Sequence, residues 1–316
     1  VQLIPDNIDF NAYQEEPETH KVRSASEFLQ ETIDAFYLPA DAVMPSRPLW
    51  DKANGKIAFR PGEVSLWAGI NGSGKSMVLS QVELDLMIQG EKVLSLSFEM
   101  LPVRQMQRMS RQAFAGDMPS KDFLGNFHAW TDGRLWMYDH NGSIKWEKVM
   151  AVMLYAQQKF GITHFIVDSL MKCVKGEDDY NAQKDFVNEL CAFAQARKIH
   201  VHLVHHMRKG ESEDKVPGKF DIKGAGAITD MVDNAFIVWR NKRAERGELK
   251  NGDPTVMLKC EKQRNGEWEG MLGFWFDMES MQYLEKIDAI PLRYSLHHVA
   301  HQAADFQHHK QRNSNQ

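Results

Sequence analysis

The 316-residue chain has no apolar run approaching the ~20 residues that a bilayer-spanning helix requires. Its opening stretch, VQLIPDNIDF, lacks both the charged and the apolar region of a secretion signal. An integral membrane protein is therefore not expected. Cysteine is scarce: Cys173, Cys191 and Cys260 are odd in number, far apart and set in apolar segments. That pattern fits buried thiols in a reducing compartment and excludes a disulfide framework. Excess positive charge is also missing, since 38 Lys and Arg against 43 Asp and Glu leave a formal charge of -5. A surface that coats nucleic acid everywhere is thereby excluded, and any such contact must be a local basic track. What remains is a 43% apolar composition, enough for one large folded body. The chain begins at Val1 rather than Met, as a fragment with a missing upstream domain would.

Residues 1–23 are polar, acidic and without clear periodicity, and are expected to form an N-terminal arm. Ser24 with Glu27 reads as a capping box, and Phe28, Leu29, Ile33, Phe36 and Tyr37 then fall on one helical face. Three prolines within LPADAVMPSRPLW follow, so residues 24–49 read as a short amphipathic helix plus an extended linker. A greasy stripe cut off in this way needs a surface to cover it, and a neighbouring subunit is one candidate. From about Trp50 to 290, apolar strands alternate with helices: EVSLWAG, KVLSLSF, RLWMYD, THFIVD, IHVHLVHH, AFIVWR, TVMLKCE and MLGFWFD mark the strands. The fold class expected is α/β, a largely parallel sheet with helices on both faces. Residues 291–316 carry five of the thirteen histidines and read as a flexible tail, with a metal site as the alternative.

The chemistry concentrates at three places. GINGSGKS, residues 69–76, matches the G-x-x-x-x-G-K-[ST] phosphate loop and lies between a strand and a helix, the context that gives the pattern meaning. Gly69, Asn71, Gly72, Ser73, Gly74 and Met77 would present the backbone to the phosphates of ATP or another NTP. Lys75 would reach the β and γ phosphates, and the Ser76 hydroxyl would ligate Mg²⁺. In FIVDS an apolar strand delivers Asp168 at its carboxyl end, where a carboxylate can hold the magnesium shell. In SFEM, Glu99 follows the strand KVLSLSF, expected beside the phosphate-loop strand, and can orient and polarise the attacking water, or be a solvated residue at a helix start.

The order GINGSGKS, SFEM, FIVDSL, LVHHMRK, DIKGAGAITDMVDNAFIVWRNK and KCEKQRNG resembles the motif series of DnaB-type (superfamily 4) hexameric replicative helicases, with the phage primase-helicase and Twinkle branch the nearest in character. The likeness runs from about Ser24 to Asp277. It implies a RecA-like P-loop NTPase core that forms a ring, a hexamer in this family, and hydrolyses ATP or dTTP with Mg²⁺ to move 5' to 3' on single-stranded DNA and unwind a duplex. It implies His206 as the sensor of the γ-phosphate and Arg240 as a residue near the nucleotide. Arg264 and Lys262 would be a pair completing the neighbour's site. The channel loop, residues 207–227, would grip DNA through Arg208, Lys209, Lys215, Lys219, Lys223 and Gly224, with residues 175–184 a second, mostly acidic channel loop. A primase domain or partner and a cytoplasmic setting, in a bacterial or phage-infected cell, are also implied, with the mitochondrial matrix a second possibility.

Other readings stay open on the same residues. His202, His205 and His206 could suggest zinc, although strand alternation puts His205 opposite His206. The basic loop could be solvated surface, diluted by Glu211, Glu213, Asp214 and Asp221, and the Lys262–Arg264 segment a solvated hairpin. A RecA or KaiC-like ATPase acting as recombinase or switch, or a non-enzymatic ATP-dependent clamp, would use the same core.

Overall fold

The computed structural model describes residues 2–3, 24–37, 44–174, 179–207, 215–222, 225–248 and 252–296. Most of the N-terminal arm, residues 175–178 of the acidic loop, residues 297–316 of the tail, and Arg208, Lys209, Lys223 and Gly224 lie outside the described residues. The elements are β1 (Gln2–Leu3), α1 (Leu29–Phe36), β2 (Val64–Gly69), α2 (Lys75–Ile88), β3 (Val93–Ser97), α3 (Pro102–Phe114), α4 (Lys121–Thr131), β4 (Leu135–Met137), α5 (Trp146–Phe160), β5 (His164–Asp168), α6 (Tyr180–Arg197), β6 (His200–His206), α7 (Ala225–Met231), β7 (Asn234–Arg240), α8 (Lys242–Glu245), β8 (Val256–Gln263), β9 (Gly270–Phe276) and β10 (Tyr283–Leu284).

The strands form one sheet in the order β1-β4-β3-β5-β6-β2-β7-β8-β9-β10. It is parallel from β1 to β7 and antiparallel from there to β10. The parallel strands are buried along their length because helices cover both faces. Alternation sorts their side chains: Leu66, Leu96, Phe165, Val167 and Leu203 pack with Val152, Phe186 and Leu190 of α5 and α6. Trp67, Val93, Ile166, Val204 and Phe236 face the other way, onto Val82, Met106, Met109 and Phe127 of α2, α3 and α4.

The capping signal is used one turn ahead of α1, where Ser24 caps a 3-10 turn over Ala25–Phe28 and its backbone N–H donates to Glu27 Oε1 at 3.1 Å. Apolar side chains of this helix are uncovered by the folded body, Leu29 at 65%, Phe36 at 80% and Tyr37 at 78% exposure. At the other end, residues 291–296 belong to the folded body. The buried Tyr294 hydroxyl donates to Asp85 Oδ1 at 2.7 Å, and the Leu292 N–H donates to Gln282 Oε1 at 2.9 Å. Among the described residues no helix is long and apolar enough to cross a membrane. The three cysteines are free, and burial pushes the Cys191 and Cys260 thiols up to about 12.

Three histidines meet beneath the sheet on the α2 side. The register of β5 on β6 pairs His164 with His200 and Ile166 with His202. The His164 and His202 rings stack at 5.4 Å, and His164 Nδ1 lies 3.2 Å from His202 Nε2. Trp67 Nε1 donates to His202 Nδ1, while the Ser46 and Ser65 hydroxyls bond His164 and His200. These partners account for the buried ring nitrogens of the cluster, and among the described residues no group of three or more His, Cys, Asp or Glu is arranged to hold an ion.

Burial keeps the cluster neutral, with His200 lowered to about 4 and His164 and His202 well below their ordinary value. On the same side, burial raises Glu83 to about 8 and Asp85 to about 7. The histidine contribution is fully present above the unfolded value of about 6.5 and is lost as pH falls, because unfolding then takes up protons. The carboxyl contribution is fully present below about 4 and is lost as pH rises through about 7 and 8, because unfolding then releases protons. The unfolding free energy, read through the urea midpoint, is therefore expected to peak between about pH 6 and 7, each unbalanced proton tilting that free energy by about 1.4 kcal/mol per pH unit. A midpoint constant from about pH 5 to 8 would refute this balance.

Candidate nucleotide site

The phosphate loop leaves β2 and enters α2, and its glycines answer specific constraints. Gly74, with φ of +95°, caps α2 in a left-handed conformation, and a Cβ there would lie 2.5 Å from the Tyr283 hydroxyl. A Cβ on Gly69 would lie 2.5 Å from the Val238 carbonyl oxygen of β7. Lys75 is buried and folds back on its own loop, Nζ donating to the Gly69 and Ile70 carbonyls at 2.9 and 3.2 Å. Burial lowers its pKa, opposed by the charges of Asp168 and Glu99. The ammonium thus sits among exchangeable carbonyl acceptors, ready to take phosphate oxygens instead.

At the end of β5, Asp168 Oδ2 accepts from the Ser76 hydroxyl at 2.6 Å. A hydroxyl and a carboxylate converging at the start of α2 form a hard-oxygen donor set suited to Mg²⁺. Desolvation raises Asp168, opposed by the Ser76 hydroxyl and the charge of Lys75. The Ser73 hydroxyl is buried in the loop without a hydrogen-bond partner among the described residues, which also fits a site built to receive oxygens.

Glu99 stands just beyond β3, where Oε1 accepts from the Ser169 hydroxyl at 3.0 Å and faces His206 Nε2 at 3.6 Å. The His206 ring foremost, against desolvation and with help from Ser169, holds the Glu99 carboxyl down to about 2. His206 reaches it because only β5 separates β3 from β6, and β6 in turn lies beside β2, with Gly69 opposite His206; β3, expected next to the phosphate-loop strand, is instead separated from it by β5 and β6. These elements enclose a cavity of about 1010 Å³ lined by residues 70–77, Glu99, Asp168, His206 and Arg240, while Gly69 sits behind it. All the residues expected to serve a nucleotide in cis therefore gather at the carboxyl ends of the parallel strands.

A family model described as an AAA domain matches residues 45–212, more than half of the 316-residue chain. The chain belongs to the AAA domain family. Two solved structures share the fold. One is an isolated "ATPase Domain", with a TM-score of 0.71 and 15% identity, covering 83% of this chain and 99% of that one. The other is "The Structure Of A DnaB-Like Replicative Helicase And Its Interactions With Primase", with a TM-score of 0.71 and 15% identity, covering 83% of this chain and 68% of that one. The AAA domain here accordingly has the α/β, RecA-like P-loop architecture of DnaB-like ATPase domains.

Several residues of the cavity are invisible to motif reasoning. Tyr283 of β10 donates from its hydroxyl to the Gly74 carbonyl at 3.2 Å, bracing the loop from more than 200 residues away. Arg108 of α3 lines the cavity, and Glu245 of α8 accepts from Arg240 Nε. Ser169, next to Asp168, lay within a quoted motif, as did Phe98 and Met207 of the cavity wall.

Lys262 and Arg264 lie elsewhere. Lys262 Nζ donates to the Thr229, Asp230 and Val232 carbonyls at 2.8, 3.0 and 2.7 Å. Arg264 donates to the Asp230 and Met231 carbonyls, both at 3.1 Å, and pairs with Asp233 at 3.0 Å. Both cations thus satisfy the carbonyl end of α7, where positive charge is favoured. Register places them at the amino end of β7, with Asn234 opposite Gln263 and Arg240 opposite Val256. Six strand residues at ~3.3 Å each put them about 20 Å from the nucleotide end of the AAA domain sheet.

The loop expected to line a channel, residues 207–227, is described at its base and in part of its course. Met207 and Ile222, both buried, form an antiparallel bridge one residue beyond His206. Lys215 is exposed, and Lys219 is exposed with its ammonium 5.6 Å from the Phe220 ring centre.

Proposed function

We propose that this AAA domain is the motor of a ring-forming replicative DNA helicase, which couples NTP hydrolysis to translocation on single-stranded DNA and so to duplex unwinding. The observation that carries the reading is the division of the machinery between two ends of the sheet. Lys75, Ser76, Glu99, Asp168 and His206 share one cavity, whereas Lys262 and Arg264 stand about 20 Å away, too far to serve the cavity of their own chain. A head-to-tail ring supplies that neighbour. The uncovered stripe of α1 supports the same arrangement, since an adjacent subunit would bury it.

In this reading the loop amides and Lys75 hold the phosphates, while Ser76 and Asp168 hold the Mg²⁺. Bound Mg²⁺ neutralises charge that develops on the transferred phosphoryl group. Glu99 orients the attacking water by its fixed negative charge. His206 senses the γ-phosphate, and a change at His206 reaches the DNA loop through the adjacent Met207–Ile222 bridge. Arg208, Lys209, Lys215, Lys219, Lys223 and Gly224 form the backbone-gripping track, which carries no base readout. Six subunits, 5' to 3' movement, ATP or dTTP as fuel, a primase partner and a cytoplasmic setting complete the proposal.

The test is turnover of ATP and dTTP across protein concentrations, with and without single-stranded DNA, while mass in solution is followed. Turnover should rise steeply as the ring appears and rise again with DNA. Turnover indifferent to both would instead favour a switch or clamp built on the same core.

A further inference from the structure

Below the Ser76–Asp168 pair lies a second, much smaller void of about 10 Å³ between α2, α3, β3 and β5. That volume is room for one water. Its walls include Ser80 and Glu83 of α2, Ser95 and Ser97 of β3, Gln105 and Arg108 of α3, and Asp168 of β5. Glu83 is fully enclosed, and its carboxyl accepts from the Ser95 hydroxyl at 3.3 Å and from Gln105 Nε2 at 3.1 and 3.3 Å. Around the same void the Ser80 hydroxyl, the Ser97 hydroxyl and Gln105 Oε1 are buried without a hydrogen-bond partner among the described residues. Buried polar atoms seldom go unpaired. Three of them around a single-water volume mark a hydrated site.

We propose that this void holds one ordered water that joins the Glu83 carboxyl to the Ser76–Asp168 pair, making Glu83 a positioning residue that sets how strongly the pair holds a divalent cation. The inference rests on the reading of Ser76 and Asp168 as the Mg²⁺ site and needs no helicase activity. The charged groups facing the void are Asp168 from β5 and Arg108 from α3, and its other polar walls are neutral. With the Glu83 carboxyl protonated, Asp168 is the one negative charge facing the void among the described residues. Ionised, Glu83 adds a second negative charge through a low-dielectric wall and strengthens the hold. Desolvation places that change in the mildly alkaline range, Glu83 being raised to about 8.

The experiment measures the Mg²⁺ dependence of binding of a fluorescent ADP to the full chain between about pH 6 and 9, for the wild type, Glu83→Gln and Ser97→Val. The wild-type Mg²⁺ affinity should increase about tenfold from pH 7 to 9, the effect of one added charge nearby. Glu83→Gln keeps the shape and hydrogen-bonding capacity of the neutral acid. It should match the wild type at pH 7 and stay flat above it. Ser97→Val fills the void and should weaken Mg²⁺ binding at every pH. A Glu83→Gln profile that keeps the wild-type slope, or a Ser97→Val protein with unchanged affinity, overturns the proposal. Absence of Mg²⁺-dependent nucleotide binding by the wild type would overturn the nucleotide reading and this inference together.

Discussion

Glu99→Gln is expected to lower turnover about 10²- to 10⁴-fold, the usual worth of a positioned acid–base group, while nucleotide still binds. The carboxylate is exposed to the cavity rather than buried, so the amide fits without steric penalty. It removes one negative charge from the rim of a phosphate site, so affinity should hold or tighten slightly. Because His206 and Ser169 hold Glu99 down to about 2, its carboxylate is ionised at every pH at which the protein is assayed. A group with so low a value is a weak proton acceptor, so in the proposed mechanism Glu99 orients and polarises water rather than taking its proton early. An acid-side fall of turnover between about pH 8 and 6 would therefore have to arise elsewhere than at Glu99. Equilibrium nucleotide binding and single-turnover hydrolysis on the same preparation separate the outcomes. Unchanged hydrolysis in Glu99→Gln would remove this residue from the chemistry and favour the switch or clamp reading.

The contacts of Glu99 show why some of the site was legible in the sequence and some was not. GINGSGKS, FIVDS and SFEM could be read because each joins a strand whose two faces are buried to residues whose chemistry is local. VSLWAG and HFIVD are continuous apolar runs that could only be interior strands, and the structure begins and ends them within a residue of expectation. The side-by-side aim of Lys262 and Arg264 was likewise legible from alternation, and both reach the end of α7. Contacts that depend on register or on distant chain were not legible. His164, His200 and His202 stack because β5 and β6 pair in one register among several that the apolar pattern would allow. Tyr283 meets Gly74 because β10 follows the antiparallel extension of the sheet back over the loop, a path that no local pattern encodes. Helix α4 has apolar Phe123, Phe127 and Trp130 at helical spacing and a Ser120 cap, yet it falls between α3 and β4, where the strand–helix alternation calls for no extra element. The boundary at 290 misplaced residues 291–296 because Leu292 and Tyr294 are held by Gln282 and Asp85, partners far away in sequence.

Arg264→Ala is expected to abolish DNA-stimulated turnover, with a loss of the order of 10³- to 10⁵-fold if the guanidinium completes a neighbour's site. Its contacts within the chain offer a competing account, in which Arg264 and Lys262 merely cap α7. Loss of an exposed cap would cost stability by about 1 kcal/mol and leave turnover largely intact. Mixing distinguishes the two accounts. An Arg264→Ala subunit retains Lys75, and a Lys75→Ala subunit retains Arg264, so one active site forms wherever the first presents its cavity to the second. In an equal, random mixture each interface has that arrangement with a probability of about one quarter, whatever the number of subunits in a closed head-to-tail ring. Basal turnover should therefore recover towards about a quarter of the wild-type rate per site, from two proteins that are each inactive. Recovery should vanish when both substitutions are carried by the same chain and mixed with itself. Failure to recover at several ratios, with mixed rings verified by mass, would restrict Arg264 to holding α7 and would leave the neighbour's site to be completed by another cation.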